Sequence, residues 1–329
     1  MTALDLDIVV TRGRHVESRH AVHAAVMDGA GRLVAFAGTP DTVAHWRSCA
    51  KPFQVLPFLA DGTWATLGWD DRALALACAS HGGEPEHVAL ARALLASVGL
   101  AERALACGPH LPLAERGVRL LGEQGGGPTR LHNNCSGKHA AMLAACTVHG
   151  WPVAGYDEPD HPLQRVVRAT VERCAHLEPR QLDVAVDGCG VPVFVLPIRA
   201  MATAWATLAR ESAHGDAAAH RILGAMSAYP FLVGGTGRFD TLVMEASGGD
   251  VVAKIGAEGV HSLAIRSRGL GLAVKVADGA PRAQYPAVLR LLQRLRALPE
   301  PLPPTLAPFL VAPVRDTRDA VVGEIRPAA

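Results

Sequence analysis

The stretch TLVMEASGGDVVAKIGAEGVHSLAIRSRGLGLAVKVADG, residues 241–279, decides the fold of this chain. The segments TLVMEAS, GDVVAKIGAEG and LGLAVKVADG within it are short and apolar, and turns at Gly248–Gly249 and Gly269 separate them. Short apolar runs bounded by turn residues are typical of β-strands. We therefore predict consecutive strands in this part of the chain.

The N-terminal segment carries the same pattern. DIVVTRG, HAVHAAVMD and GRLVAFAG are strand-like, and Asp28–Gly31 between the last two is a hairpin signal. The middle of the chain is mostly helical in pattern. Strands at both ends around a helical middle predict an α/β protein of the α+β kind, with an antiparallel sheet that is flanked by helices. We predict a single structural unit over residues 1–329.

The composition indicates a globular protein whose partner is a small molecule. Of 329 residues, 49% are hydrophobic, which is enough to bury a substantial core. A net charge of +1 without a charged run gives no electrostatic footprint for nucleic acid or an anionic membrane. Without a leader pattern or a membrane-length apolar window, we expect a cytoplasmic protein. The seven cysteines form no CxxC pair, which fits a reducing compartment rather than a disulfide framework.

Lysine is rare in this chain, so its few positions are the first candidates for chemistry. Only four of the 32 basic residues are lysines, namely Lys51, Lys138, Lys254 and Lys275. Arginine keeps its proton in a protein, whereas burial or nearby cations can neutralise a lysine so that it acts as a base. The alternating pattern around Lys275 favours a structural role for that lysine.

Ser48 precedes Lys51 by three positions at a predicted helix start. On a helix these side chains share a face, and a neutral lysine can take the proton of a serine hydroxyl that attacks a carbonyl. The helix N-terminus adds N–H groups that can hold an oxyanion. A solvated lysine beside a capping serine is the alternative, since Ser-x-x-Lys alone is common.

Two further motifs favour catalysis. Penicillin-recognising serine enzymes carry Ser-x-x-Lys, then a serine-led loop, then a strand with Lys-Thr/Ser-Gly. Here Ser48–Lys51 is followed by Ser80-His81-Gly82 and then by Lys254-Ile255-Gly256, in the same order. The loop lacks Asp-Asn and isoleucine replaces the hydroxyl residue after Lys254, which argues against a β-lactam substrate.

Cys135, Lys138 and His139 lie together in the first turn of a predicted helix. They allow a thiolate with a lowered pKa, a metal site completed by a distant residue such as Cys189, or plain core filling. The spacing alone is not a usual zinc pattern. The Gly234–Arg238 loop lacks a Walker lysine, so we interpret it as a turn bordering the site, with Arg238 as a candidate carboxylate clamp.

The blocks SCAKPFQ, ASHGGEPEH, NNCSGKHAAML, DGCGVPVF, GGTGRFDT, AKIGAEGVH and GLGLAVKVADG together resemble the L-asparaginase II family of the rhizobial type, over residues 4 to about 325. The resemblance implies a fold like serine β-lactamases and glutaminases, a homodimer, and hydrolysis of L-asparagine to L-aspartate and ammonia. It also implies two Ser–Lys pairs, Ser48 with Lys51 and Ser80 with Lys254.

The resemblance further implies a zinc site formed by Cys135, Lys138 and Cys189, where the metal modulates the site rather than acting as the catalyst. We assign Ser48 as nucleophile and Lys51 as base, with Ser80 and Lys254 as proton relay; Ser80 as nucleophile is the alternative. The expected substrate-binding residues are Arg47, His139, Arg238, Gly82 and Gly137.

Two other functions stay open at this point. The same apparatus suits a serine acylase, a glutaminase or a β-lactamase-like enzyme that acts on another amide. A metal-dependent or amino-acid-binding module without turnover is the third possibility. The sequence does not separate asparagine from glutamine, because one methylene is worth only about 1–3 kcal/mol of discrimination.

Overall fold

A computed structural model describes residues 1–179 and 181–328. The strands are β1 (Thr2–Leu4), β2 (Ile8–Arg12), β3 (His15–His20), β4 (Val22–Asp28), β5 (Leu33–Ala37), β6 (Val43–His45), β7 (Asp183–Val186), β8 (Pro192–Pro197), β9 (Val251–Ile255), β10 (Val260–Ile265), β11 (Leu270–Val276), β12 (Ala312–Arg315) and β13 (Val321–Pro327).

The helices are α1 (Lys51–Ala60), α2 (Thr63–Leu67), α3 (Asp71–Ala77), α4 (Pro85–Ser97), α5 (Glu115–Glu123), α6 (Ser136–His149), α7 (Pro162–Cys174), α8 (Ile198–Ala213), α9 (Ala217–Ala228), α10 (Pro230–Val233), α11 (Phe239–Ala246), α12 (Pro281–Arg294) and α13 (Ala307–Leu310). Short 3-10 helices lie at Arg47–Ala50, Glu102–Ala104, Arg130–His132 and Arg266–Arg268. Among these helices, none is both long and apolar enough to cross a bilayer.

The chain forms two compact units. Unit 1 comprises Met1–Cys49, Leu196–Arg210 and Leu242–Ala329, and unit 2 comprises Ala50–Val195 and Glu211–Thr241. Each unit collects segments that are distant in sequence. Neither unit is therefore one continuous stretch of the chain. The single structural unit over residues 1–329 stays a prediction.

The main sheet of unit 1 has the strand order β1-β5-β4-β11-β10-β9. Apart from the parallel pair β1–β5, its neighbours are antiparallel, and β4 pairs with β11 over its whole length. The Asp28 carboxylate accepts the N–H groups of Ala30 and Arg32, which closes the predicted hairpin between β4 and β5. The structure confirms the predicted antiparallel sheet built from both chain ends.

Helices cover the strands of unit 1. A Cβ atom added to Gly271 of β11 would lie 2.1 Å from the Ala202 carbonyl oxygen of α8, so only glycine lets this helix approach the strand so closely. The smaller sheet has the order β12-β13-β2-β3, and α12 contacts β2, β10, β11 and β13. The predicted flanking helices are thus confirmed in this unit.

The predicted strand TLVMEAS is wrong, because residues 239–246 form α11. Phe239, Val243 and Met244 are buried, and they recur at the spacing of one helical face. Residues 241–247 taken alone have the short apolar pattern of a strand. Phe239, which begins the helix, lies outside this segment, so its contribution to the helical pattern was left out. The predicted turns at Gly248–Gly249 and Gly269 are confirmed by their positive φ angles.

Unit 2 is helical, apart from the antiparallel hairpin that β7 forms with β8 before the chain enters unit 1. Helix α6 contacts α1, α3 and α4, and α1 also contacts α7 and α9. α6 ends at Gly150, whose φ of 65° is the left-handed conformation that glycine favours at a helix C-terminus. Within the described residues all seven cysteines are free.

Candidate functional site

Lys51 is the first residue of α1, and its side chain is fully buried in unit 2. Its amine donates to the Ser80 hydroxyl at 3.0 Å, to the Asn134 carbonyl at 3.3 Å and to the Ala79 carbonyl. Pro52 fits the next position because the first N–H groups of a helix have no partner within it. The helix start therefore delivers a buried amine to three oxygen atoms.

Ser80 lies in the loop between α3 and α4, and its side chain is buried. Its N–H donates to the Val233 carbonyl at the end of α10, at 3.1 Å. A Cβ atom at Gly82 would lie 2.6 Å from the Ala114 Cβ atom, and Gly83 has a φ of 71°. Both glycines are required for the loop to turn back toward α4 in so little space.

The three contacts of Lys51 can use the three N–H donors of a lysine amine. An amine that loses one of these protons gains a lone pair, which can accept the Ser80 hydroxyl proton. The pair can therefore exchange one proton between oxygen and nitrogen. This is the arrangement that activates a serine nucleophile.

Arg47, Ser48 and Lys254 belong to unit 1. The Cys49 thiol donates to the Lys254 carbonyl at 3.1 Å, so the segment that carries Ser48 lies against β9. The Lys254 side chain is buried, and its amine donates to the Ile255 carbonyl at 2.8 Å. The predicted pairs Ser48–Lys51 and Ser80–Lys254 each join residues of different units and stay predictions.

Arg47 has a φ of 51°, in the left-handed region that residues other than glycine rarely adopt. Trp46 next to it is anchored, since its indole N–H donates to the Ser262 hydroxyl at 3.0 Å. A Cβ atom at Gly256 would lie 3.0 Å from the Cys49 sulfur, so this segment also packs closely on the residue after β9. Strained backbone held by such contacts is common at functional sites.

Cys135, Lys138 and Cys189 come together in unit 2, as the sequence resemblance implied. The Lys138 amine donates to the Cys189 sulfur at 3.0 Å, and all three side chains are buried. The first turn of α6 supplies Cys135 and Lys138, while the turn between β7 and β8 supplies Cys189.

Hydrogen bonding and charge set the protonation of this cluster. The hydrogen bond between the two thiols lowers the pKa of Cys135 well below its ordinary value and raises that of Cys189. Burial works to lower the pKa of Lys138, but the charges of Cys189, Cys135 and Asp187 raise it overall. These shifts favour the thiolate form of Cys135 and the charged form of Lys138.

The donor set of this cluster fits zinc. Zn²⁺ binds thiolate sulfur and nitrogen in tetrahedral sites, and these side chains offer two sulfurs and one amine, which leaves a fourth position. Within residues 1–179 and 181–328, no group of three or more His, Cys, Asp or Glu side chains could hold a metal.

His139 and Gly137 flank Lys138 on α6. The His139 ring is buried, and its Nδ1 lies 2.5 Å from the Tyr156 hydroxyl. Burial, followed by the charges of Lys138 and Lys51, lowers the pKa of His139 well below its ordinary value. A Cβ atom at Gly137 would lie 2.4 Å from the Leu76 carbonyl oxygen, so the close approach of α6 to α3 depends on this glycine.

Arg238 ends the Gly234–Arg238 loop of unit 2. Its guanidinium donates to the Leu113 carbonyl at 3.2 Å and its side chain is half-buried. In this position it can still turn toward a bound carboxylate, as the sequence predicted. Its role in binding stays a prediction.

A pair of stacked histidines, His81 and His87, was missed by the sequence analysis. The Gly83 N–H donates to His81 Nδ1, and the Glu84 N–H donates to His87 Nδ1, each at 3.2 Å. Each ring then carries its proton on Nε2, which donates to the Ser136 hydroxyl in one case and to the Phe231 carbonyl in the other. The two rings, with centroids 5.0 Å apart, hold the backbone that follows Ser80.

We expect this pair to make the fold sensitive to acid. Burial lowers the pKa of His81 well below 6.5 and also lowers the pKa of His87. Between these folded-state values and pH 6.5 the unfolded chain binds protons that the folded chain does not, so stability is complete above pH 6.5 and is lost as the pH falls below it. Below pH 6.5, each histidine lowers the free energy of unfolding by up to about 1.4 kcal/mol per pH unit.

Urea unfolding midpoints between pH 7.5 and 5.5 measure this loss. The His81→Asn variant, whose amide oxygen can replace Nδ1 as acceptor, should show a shallower decline, whereas His15→Asn at an exposed site should decline like the wild type. Equal slopes for His81→Asn and the wild type would contradict a buried neutral His81.

Comparison with curated proteins finds no match. Among solved structures, Mglu in its glutamate form aligns over 84% of this chain and 61% of its own, with 15% identity and a TM-score of 0.46. Mglu in its native form in 4.3 M NaCl aligns over 90% and 66%, with 16% identity and a TM-score of 0.46. A β-lactamase from Mycobacterium bovis aligns over 84% and 96%, with 17% identity and a TM-score of 0.43. This chain thus spans less than two thirds of the length of these Mglu structures.

A protein-family comparison covers nearly the whole sequence. The model for L-asparaginase II matches residues 8–327. The match runs through both units and includes every predicted site residue, from Arg47 to Lys254. This chain belongs to the L-asparaginase II family.

Proposed function

We propose that this protein is an amidohydrolase that converts L-asparagine to L-aspartate and ammonia through a serine-bound acyl intermediate. Membership in the L-asparaginase II family supports the reaction. The observation that carries the mechanism is the 3.0 Å contact between the Lys51 amine and the Ser80 hydroxyl, since both groups are buried.

The contact favours Ser80 as nucleophile, with Lys51 as base, over the assignment of Ser48. Lys51 accepts the hydroxyl proton while Ser80 Oγ forms a bond to the side-chain amide carbon of asparagine. The C–N bond then breaks, and the proton on Lys51 passes to the leaving nitrogen, which departs as ammonia. Water attacks the resulting ester, aspartate leaves, and the proton returns to Ser80. Ser48 and Lys254 keep the proposed role of a second pair.

Substrate binding follows from the charge of asparagine. Its α-carboxylate needs a cation, and Arg238 is the proposed partner. Arg47 is proposed as a substrate-binding residue from the sequence alone. His139 is proposed as a neutral binding residue, and the backbone at Gly82 and Gly137 as part of the same surface. The homodimer and the rhizobial type belong to this proposal on the sequence resemblance alone, and the cytoplasmic location belongs to it on the sequence pattern.

Zinc is the proposed cofactor, held by Cys135, Lys138 and Cys189. When bound, it would supply a Lewis acid that attracts a polar group of the substrate. Its binding requires that Lys138 release a proton, because a lysine amine binds a metal only in its neutral form.

The proposed activity is tested by ammonia release from L-asparagine and L-glutamine, and by aspartate release from β-aspartyl compounds. We expect turnover of asparagine and one covalently acylated serine in quenched samples, located by peptide mass spectrometry. Absence of ammonia and aspartate release from all these substrates, together with covalent labelling by a penicillin, would replace the proposal with another acyl-transfer reaction.

Zinc content after expression in zinc-supplemented medium tests the metal site. We expect about one zinc ion per chain, and Cys189→Ala should lower the zinc affinity by at least about tenfold. Cys146→Ala is the matched control, because Cys146 is another buried cysteine and burial raises its pKa to about 11. Equal zinc content in the two variants would contradict the proposed ligand set.

A further inference from the structure

We propose that Glu84 is a positioning residue that determines recognition of the substrate's α-carboxylate by holding the tip of the Gly234–Arg238 loop beside Ser80. The proposal deepens the function proposed above and rests on it for the identity of the substrate. Glu84 was not among the residues that the sequence analysis singled out.

Glu84 is fully buried and makes strong polar contacts with two segments. Its carboxylate accepts the Thr236 N–H and the Thr236 hydroxyl, each at 2.7 Å, and the Arg116 guanidinium at 2.7 Å. Hydrogen bonds to an ionised acceptor are roughly twice as strong as those between neutral groups. One carboxylate thus holds the loop tip on one side and α5 on the other.

The surroundings keep this carboxylate charged. Burial alone would raise the pKa of Glu84, but hydrogen bonds from Arg116 and Thr236 outweigh burial and lower it. The charge is balanced at Arg116, which also contacts Glu86 at 2.7 Å. A buried charge with these partners costs a great deal to leave unpaired.

The backbone around Glu84 is built for close contact. Gly235 has a φ of 118°, and a Cβ atom there would lie 2.9 Å from Glu84 Oε1 and 3.1 Å from the Gly82 Cα atom. The Gly234–Arg238 loop therefore lies directly on the loop that follows Ser80. Larger residues at either glycine would separate the two loops.

The base and the tip of the Gly234–Arg238 loop have different anchors. The Thr241 hydroxyl donates to the Gly235 carbonyl at 2.9 Å, and the Ser80 N–H donates to Val233, so the base stays fixed without Glu84. The tip at Thr236 depends on Glu84, and Arg238 follows two residues later. Under this proposal, Glu84 sets the backbone position from which Arg238 extends, while the Arg238 guanidinium itself also donates to the Leu113 carbonyl.

Asparagine requires the distance between the Arg238 guanidinium and the Ser80 hydroxyl to be fixed, since its α-carboxylate and its amide carbon are separated by two carbon atoms. Loss of the anchor should weaken binding of the carboxylate and leave the Lys51–Ser80 pair in place. The effect should therefore fall on KM more than on kcat.

Glu84→Gln removes the charge and keeps the shape of the side chain. We expect KM for asparagine to rise on the order of ten- to a hundredfold, with kcat within about threefold of the wild type. Glu86→Gln is the matched control, because it removes the exposed partner of the same Arg116 and should leave both constants within about twofold. A fall of kcat by ten- to a hundredfold in Glu84→Gln, with KM unchanged, would overturn the proposal.

Calorimetric binding of L-aspartate and β-alanine gives a readout that does not need turnover. β-Alanine is aspartate without its α-carboxylate. Glu84→Gln should therefore weaken the binding of aspartate and leave the binding of β-alanine unchanged. Equal weakening of both ligands, or no change in either, or no preference of the wild type for aspartate, would overturn the proposal. Glu84-dependent aspartate binding in a chain that releases no ammonia would instead overturn the proposed function alone.

Thr236→Val guards against a Glu84→Gln variant that does not fold. It removes only the hydroxyl contact at an exposed position, so folding should be unaffected. We expect weaker aspartate binding in the same direction as Glu84→Gln but smaller. Unchanged aspartate binding in Thr236→Val would count against the proposal.

Discussion

Lys51→Arg is expected to lower kcat for ammonia release from asparagine by about 10²- to 10⁴-fold. The substitution keeps a cation but removes the possibility of a neutral amine, because arginine does not lose its proton in a protein. The guanidinium also has no lone pair for the Ser80 proton and is too large for the space between Ala79 and Asn134, whose carbonyls contact Lys51. Steady-state ammonia release and thermal unfolding of the same samples separate lost chemistry from lost folding.

Lys275→Arg is the matched control for this substitution. Lys275 donates to the Glu258 and Val276 carbonyls at 2.8 and 2.5 Å at a half-buried position, where a cation with several donors can serve equally well. We expect its kcat to stay within about twofold of the wild type. A Lys51→Arg enzyme as active as Lys275→Arg would eliminate Lys51 as the base.

Lysine rarity is the sequence signal that located the buried amines. Lys51, Lys138 and Lys254 are all buried, whereas Lys275 is half-buried and contacts backbone carbonyls of its own strand end and a neighbouring turn. A chain rich in lysine would have hidden these positions among surface cations. The signal therefore depended on an unusual composition and not on the fold.

The contact between Lys51 and Ser80 could not be predicted from spacing, because the two residues lie 29 positions apart. The Ser48–Lys51 pair stays a prediction. Ser80 reaches Lys51 because α3 ends before it and the Val233 carbonyl fixes its backbone. Both conditions are set by tertiary packing.

Strand β10 shows the same limit within the sheet. His261 and Ser262 interrupt its apolar pattern, yet both are fully buried. The Ser262 hydroxyl accepts from the Trp46 indole, and His261 Nδ1 lies 3.3 Å from the Gln284 amide. A buried polar residue needs a partner from elsewhere in the fold, and the local sequence does not reveal that partner.

Glu84 and the histidine pair were missed for a related reason. In the segment ASHGGEPEH the serine and glycines stand out as a loop motif, whereas its charged and aromatic residues resemble an ordinary helix start. Only the folded chain brings Thr236 to Glu84 and stacks His81 on His87. Their contacts join residues that lie up to 152 positions apart.

Gly137→Ala is expected to destabilise the fold by about 3 kcal/mol, the upper part of the range for overpacked substitutions. Its Cβ atom would lie 2.4 Å from the Leu76 carbonyl oxygen, which is backbone and therefore cannot turn away. The intrinsic preference of alanine for helices offsets at most about 1 kcal/mol of this cost. Urea unfolding at pH 7.5 measures the difference.

Gly122→Ala on α5 isolates the helix preference, because no atom lies within 4 Å of the Cβ position there. We expect it to stabilise the fold by about 0.5–1 kcal/mol. If Gly137→Ala were as stable as Gly122→Ala, α6 would not pack on α3 at Leu76.

The candidate site should respond to Gly137→Ala as well, because Lys138 follows Gly137 directly and the Asn134 carbonyl that contacts Lys51 lies just before α6. A shift of α6 away from α3 should therefore lower both kcat and the affinity of the proposed zinc site. Cys189→Ala should lower mainly the zinc affinity.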